Sequence, residues 1–293
     1  RSWLYPIYPF KTQEEQQQFI DHFHPANLLS RHPKARPLIT APELASLQGM
    51  VQRYIQAMKL SPDIIIQEGV MCAWMKQNAD DTKSEDPKGV VMVPAIAYCN
   101  YLDGKIINVK FRSVQQHPIT GEWSKLFCQV SPTKPCAPYG IDSINLLRPD
   151  AQSIRQLIIT EGEKDRLTLM TCGFPYVLSI ANGASTNIEE SHEAFDEWIQ
   201  QAGEIIICGD TDRPGRRLVK LLIEQYQTRA KVTTLPQGKK DISEVYEVFG
   251  SREVQRIIAE AQGISDADIY DLSEHKEDIL DIMMGNYDRG YEV

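Results

Sequence analysis

From residue 157 onward, short apolar runs alternate with helical stretches, and each run ends in small, acidic or glycine-containing residues. That rhythm constrains the fold more than any other feature of the chain. Apolar runs at 157–160, 176–180, 205–209 and 232–235 are separated by helix-like stretches at 163–172, 187–202, 213–229 and 241–262. The pattern predicts an α/β fold, a parallel sheet with helices on both faces. In such sheets ligands collect beyond the carboxyl ends of the strands. The residues just after each strand are therefore the ones to read for chemistry.

The preceding segment has a different texture. Strand-like runs at 70–76, 90–98, 105–112 and 123–130, with Asp103-Gly104 between two of them, predict a small antiparallel sheet closed by a tight hairpin. Ahead of it, Thr40, Pro42 and Glu43 carry an N-terminal helix signature for 41–58. A shorter helix starts at Ser61-Pro62-Asp63, and another is expected at 12–23. The expected organisation is an N-terminal helical region (1–69), a smaller α+β subdomain holding the antiparallel sheet (70–150), the parallel-sheet domain (151–262) and an acidic linker (263–293).

Composition narrows the function classes. The 293 residues carry a net charge of −9, which at first disfavours nucleic acid. However, residues 241–293 hold 14 Asp and Glu against 4 Lys and Arg, so the rest of the chain is close to neutral. Residues 88–148 are locally basic, and steering of a polyanion depends on local field rather than total charge. The six cysteines include no Cys-x-x-Cys pair, so no zinc is expected, and free thiols in a reducing compartment are the default reading. No apolar run approaches the roughly 18 residues of a membrane span, and no secretory signal is visible. A cytoplasmic protein is expected, and the chain, which opens on Arg1 rather than Met, reads as a fragment.

Each expected strand of the parallel sheet ends in residues with chemical potential. The first runs into Glu161-Gly162-Glu163-Lys164-Asp165, the second into Asn182-Gly183-Ala184-Ser185, the third into Asp210-Thr211-Asp212-Arg213-Pro214-Gly215, and the fourth into Lys239-Lys240-Asp241. Five carboxylates, Glu161, Asp165, Asp210, Asp212 and Asp241, are thereby expected at one end of the sheet. An isolated Asp at a strand end is more often a helix cap. Clustered carboxylates repel one another without a cation, and hard oxygen ligands suit Mg²⁺ or Mn²⁺.

These four strand-end elements, taken in order, resemble the TOPRIM domain, and Lys240-Asp241 resembles the Lys-Asp element of primases within that superfamily. The run from Asp103 to Arg112 resembles the amino-terminal subdomain of a primase core, and Tyr139-Gly140-Ile141-Asp142 resembles the Leu/Tyr-Gly element that precedes the TOPRIM strand. The resemblance covers roughly 88–262 and is to phage and Twinkle-type primase–helicases and bacterial replicative primases, which implies a bacterial, phage or mobile-element source. It implies RNA primer synthesis by nucleotidyl transfer on a single-stranded DNA template from NTPs, with a helicase domain in cis or trans. It implies catalytic roles for Glu161, Asp165, Asp210 and Asp212, and metal ligation by Glu161, Asp210, Asp212 and Asp241. Nucleotide or template contacts are implied for Lys110, Arg112, Lys125, Lys164, Asn182, Gly183, Arg213 and Lys240. Two other classes stay open: a TOPRIM nuclease or topoisomerase fragment, and a non-catalytic single-stranded-DNA-binding scaffold of a replicative helicase. The chain contains no Gly-x-x-x-x-Gly-Lys-Ser/Thr, so no P-loop ATPase is expected within it.

Overall fold

The computed structural model describes residues 4–9, 12, 14, 39–78, 90–129, 137–147, 154–180 and 202–263. The expected helices at 12–23 and 187–202 and the acidic tail fall outside these residues, save for a few positions at their edges. The chain divides into two compact units, Arg1–Lys134 and Pro135–Val293.

The first unit is a five-stranded antiparallel sheet in the order β1 (Leu4–Pro6), β2 (Met71–Asn78), β3 (Val90–Leu102), β4 (Lys105–Ser113), β5 (Phe127–Gln129). Asp103 and Gly104 both take positive φ, 51° and 71°, as the two central positions of a type I′ hairpin turn require. Helix α1 (Ala41–Ala57) begins with a full capping box, in which Glu43 Oε2 accepts from Thr40 N at 2.8 Å and Thr40 Oγ1 accepts from Glu43 N at 3.4 Å. Its buried residues, Leu47, Val51, Tyr54 and Ile55, recur at helical spacing and pack toward β2 and β3. From the same helix, Gln48 and Gln52 donate to the carbonyls of Pro6 and Ile7 at 2.9 and 2.8 Å. The first sixty-nine residues thus supply a strand and a packing helix to the antiparallel sheet. Helix α2 (Pro62–Gln67) leads into β2. The strand expected at 123–130 is shorter than its pattern suggested. Trp123 makes only an isolated bridge with Gln116, and its ring packs edge-on against Tyr54 of α1 with centroids 5.0 Å apart.

The second unit contains α3 (Ile141–Leu147), β6 (Gln156–Thr160), α4 (Glu163–Thr171), β7 (Val177–Ser179), β8 (Glu204–Cys208), α5 (Arg213–Tyr226), β9 (Ala230–Val232), α6 (Ile242–Phe249), α7 (Ser251–Ala259) and β10 (Gln262–Gly263). Strand order is β10-β9-β8-β6-β7, parallel from β7 to β9, with β10 antiparallel. Leu157, Ile158, Ile159, Ile205, Ile206 and Ile207 are all buried, as expected of central strands covered on both faces. The crossovers β6-α4-β7 and β8-α5-β9 run in opposite directions along the sheet. Right-handed connection then places α4 and α5 on opposite faces. The single helix expected at 241–262 is instead two, because Gly250 at φ 79° and ψ −175° takes a conformation open only to glycine and turns the chain between α6 and α7.

Arg166 on α4 is fully buried. Its Nε donates to Val177 O at 2.8 Å, and its guanidinium lies 5.1 Å from the centre of the Tyr139 ring. Gly140, at φ 101°, leaves the space this side chain fills: a Cβ there would stand 2.0 Å from Arg166 Nε. Gly140→Ala is therefore expected to destabilise the second unit by about 3 kcal/mol, combining backbone strain with overpacking of a buried charge. Urea denaturation measures it, and an unchanged midpoint would show that Arg166 repacks without cost.

Candidate metal centre

The strand order fixes where a site can form. After β6 the chain moves outward to β7; after β8, on the other side of β6, it moves away to β9. The carboxyl ends of β6 and β8 therefore flank the topological switch point, where the two outgoing loops part and leave a crevice. Glu161 follows β6, and Asp210 and Asp212 follow β8.

Local packing sets the direction of each carboxylate. Glu161 is partly buried, and its carbonyl accepts from Ser179 Oγ at 3.2 Å, tying the β6 turn to the end of β7. Beyond β8, the start of α5 presses onto the Asp210 backbone. A Cβ at Gly215 would lie 2.4 Å from Asp210 O, so this approach requires glycine. Asp212 is the N-cap of α5, its Oδ1 accepting from Gly215 N at 3.0 Å. One oxygen caps the helix and the other remains for a cation. One oxygen from each of Glu161, Asp210 and Asp212 lies within 4.8 Å of the others.

A cation from the chain is already there. The Lys240 ammonium stands 3.2 Å from Asp210 Oδ2 and 3.0 Å from Asp212 Oδ2. The backbone beneath it is held by Thr211, whose N–H donates to Lys240 O at 2.9 Å and whose hydroxyl lies 3.2 Å from Lys239 O. A set of hard carboxylate oxygens that positions an ammonium between two of its members fits a divalent cation such as Mg²⁺ or Mn²⁺.

The other expected carboxylates are placed differently. Asp241 caps α6, with Oδ1 accepting from Glu244 N at 2.7 Å, and its other oxygen lies 4.0 Å from Lys164 Nζ. It is not one of the three carboxylates whose oxygens converge. Lys164 also lies 3.5 Å from Glu247, so it bridges α4 to α6. Asp165 is buried and accepts from Ser243 Oγ at 2.5 Å, and Ser243 is in turn 3.1 Å from Thr168 Oγ1. Arg213 is exposed at the start of α5. Asn182 and Gly183 lie outside the described residues. Lys110, Arg112 and Lys125 belong to the first unit: Lys110 Nζ lies 5.7 Å from the Phe127 ring centre, Arg112 is partly buried and Lys125 is exposed. Ser243 and Thr211 organise the site without having been singled out in the sequence. Thr211 alone carried a signal, being the residue between two strand-end aspartates.

Electrostatics follow from burial and crowding. Desolvation, then the charges of Asp241 and Asp210, push Asp165 up to about 8. Desolvation, then Glu161 and Asp241, push Asp210 up to about 7, against the pull of Lys240. Partial burial opposes ionisation of Asp212 as well, but the Gly215 N–H and the Lys240 ammonium together hold it below the ordinary carboxylate range. Lys240 itself, though partly desolvated, is raised above the usual lysine range by hydrogen bonding to Asp212 and the charge of Asp210.

Against known proteins, the second unit gives a clear match. Residues 158–246 match the Toprim-like family. The Toprim-like domain therefore contains Glu161, Asp210, Asp212, Lys240 and Asp241 together. Among curated proteins, the chain is 26% identical over 160 residues to a primase homolog protein of Arabidopsis thaliana, covering 50% of this chain and 42% of that protein. The chain thus spans less than half the length of that relative. Among solved structures it is similar to the primase fragment of the bacteriophage T7 primase-helicase protein, with a TM-score of 0.51, 23% identity, and coverage of 69% of this chain and 72% of that one. It is also similar to a DnaG primase catalytic domain bound to ssDNA, with a TM-score of 0.56, 15% identity, and coverage of 89% and 84%. The chain has the fold of a primase catalytic core, as the α/β reading with a preceding antiparallel sheet expected. No helix among the described residues is long and apolar enough to cross a membrane.

A titration experiment follows from Asp165. A carboxyl raised in the folded state holds its proton more tightly folded than unfolded. Its stabilisation is complete below the unfolded value of 3.8 and is lost as pH rises through about 8. The metal-free protein is expected to lose stability across that window, and Asp165→Asn, which keeps an acceptor for Ser243, to flatten the loss. The variant's unfolding midpoint should match wild type near pH 3.5 and exceed it by a margin that grows up to about pH 8. Parallel curves for the two proteins would show that Asp165 is ionised in the fold.

Proposed function

We propose that this chain is the catalytic core of a DNA primase, making RNA primers on single-stranded DNA by nucleotidyl transfer from NTPs, and that it works joined to or alongside a replicative helicase. The observation that carries the reading is the convergence of Glu161, Asp210 and Asp212 at the switch point of a Toprim-like domain within a primase-core fold. A divalent ion held by these three carboxylates would supply charge stabilisation to a transferring phosphoryl group. The chain's own residues set the rest. Asp212 keeps one oxygen on its helix cap, so its free oxygen is fixed in direction. Gly215 holds Asp210 against the start of α5. Glu161, at the strand tip opposite, is the candidate to take the proton of the attacking 3′-hydroxyl or to complete the ion's ligands. Asp165 and Ser243 brace α4 against α6 from below, and Asp241 fixes the loop that carries Lys240. Lys164 and Arg213 are candidates for phosphate contacts, and the resemblance adds Asn182 and Gly183 to them. The primase homolog among its relatives and the single-stranded DNA named with its DnaG neighbour support the substrate class.

The test is dinucleotide synthesis on a single-stranded template with Mg²⁺ or Mn²⁺. Glu161→Gln should bring synthesis to background. Because Glu161 is one of the charges that raise Asp210, the amide should leave the metal-free unfolding midpoint equal to or above wild type. Normal synthesis by the variant would remove the assignment of this cleft. Single-stranded DNA binding that persists while wild type makes no product would favour the scaffold reading instead.

Template binding is assigned to the basic side chains of the antiparallel sheet. Lys110→Ala and Lys125→Ala should weaken single-stranded DNA binding and flatten its dependence on salt, by about 0.7 in log–log slope for each phosphate that is no longer neutralised. Arg112 is a poorer choice for this test, because its Nε is buried and its removal would disturb packing. Unchanged affinity and slope in the double variant would place the template elsewhere.

A further inference from the structure

Lys240 occupies a position that the proposed reaction does not explain. A phosphate-binding lysine would be expected to reach toward solvent and substrate, yet this ammonium sits between Asp210 and Asp212, 3.2 and 3.0 Å from one oxygen of each. Those are two of the three carboxylates that converge with Glu161. The placement is built into the fold. Thr211, between the two aspartates, is hydrogen-bonded through its N–H to Lys240 O and through its hydroxyl to the Lys239 carbonyl, and Lys240 N donates to Glu244 Oε2 at 2.9 Å. Backbone is thus clamped on both sides of the residue, while the side chain is half exposed and can swing away from its partners.

We infer that Lys240 is an exchangeable resident cation: its ammonium neutralises Asp210 and Asp212 in the absence of metal, is displaced by an entering divalent ion, and then serves a nucleotide phosphate beside the same carboxylates. This rests on the reading of the three carboxylates as a metal centre and adds to it the order in which charge is handed over. Three carboxylates at the ends of adjacent strands repel one another, and a divalent ion and an ammonium repel each other at the distance of a shared ligand. The pair Asp210–Lys240 or Asp212–Lys240 and the ion are therefore alternatives for the same carboxylates. A lysine can leave such a position because its charge is a compact point on a flexible stem, and an ammonium released next to a metal centre is a natural partner for triphosphate oxygens.

The exchange makes a prediction of opposite sign for two ligands. In the 293-residue protein, Lys240→Met removes the competitor but keeps the stem. Mn²⁺ binding, followed by electron paramagnetic resonance of the free ion, should tighten by roughly tenfold or more, within the usual range of coupling between sites. Binding of ATP in saturating Mn²⁺, followed by calorimetry, should weaken by a similar factor. The metal-free unfolding midpoint should fall and be restored by Mn²⁺. Lys240→Arg, which keeps the charge, should bind Mn²⁺ within a few-fold of wild type, and serves if the methionine variant proves too unstable to titrate. Weaker or equal Mn²⁺ binding by Lys240→Met would overturn the exchange and make Lys240 a structural support. Equal binding with a measurable wild-type affinity sinks the exchange alone, whereas no Mn²⁺ binding by any of the proteins sinks the metal centre with it.

Discussion

Repulsion among carboxylates gathered at the ends of two adjacent strands is the constraint around which the second unit is organised. The sheet order brings Glu161 and Asp210 to the switch point, and the spacing of α5 adds Asp212. The chain answers that repulsion with several devices. Lys240 is placed between two of the acids, Asp212 shares its charge with a helix N-terminus, and Lys164 lies beside Asp241. The buried Asp165 meets it by favouring its protonated form. Each device weakens a cost that the fold would otherwise bear, and each is local to the loops rather than to the apolar strands beneath them.

Helix capping and membership of an acidic cluster, usually weighed as rival explanations for an aspartate at a strand end, coexist here. Asp212 caps α5 with one oxygen and points the other at the cluster, while Asp241 caps α6 and lies outside the converging set. The same residue type in the same sequence context therefore joins the converging set in one case and stands outside it in the other. What separates them is the position of the next strand along the sheet. β8 lies beside β6 and its glutamate, whereas β9 lies one strand further away.

Much of this was legible in the sequence for a physical reason. Strands covered on both faces must be continuously apolar, so Leu157-Ile158-Ile159 and Ile205-Ile206-Ile207 announce themselves, and an Asp-Gly pair between alternating runs leaves few conformations other than a tight hairpin. The carboxylates at the strand ends were visible for the same reason that the strands were. Less visible were features set by partners distant in sequence. Trp123 lies outside β5 and packs on Tyr54, which belongs to a helix far earlier in the chain. Gly250 looked tolerable within a helical pattern, and only its backbone conformation shows that the helix ends there. Ser243 resembles an ordinary helix residue until α4 and α6 are brought together, and Arg166 does so until α4 meets Val177 and Tyr139. The position of the Lys240 ammonium needs the fourth loop to be folded back onto Thr211, which no local pattern expresses.

The turn at Gly250 has an effect on association that concerns the whole sheet. By redirecting the chain through α7, it returns Gln262–Gly263 alongside β9, where the two residues pair antiparallel with Val232 and Lys231. At the opposite margin, Tyr139 forms a bridge with Ser179 of β7, exchanging hydrogen bonds of 2.9 and 3.1 Å. Both margins of the parallel sheet thus have part of their outward-facing hydrogen-bonding row already taken. A sheet blunted on both margins resists edge-to-edge pairing with a second copy.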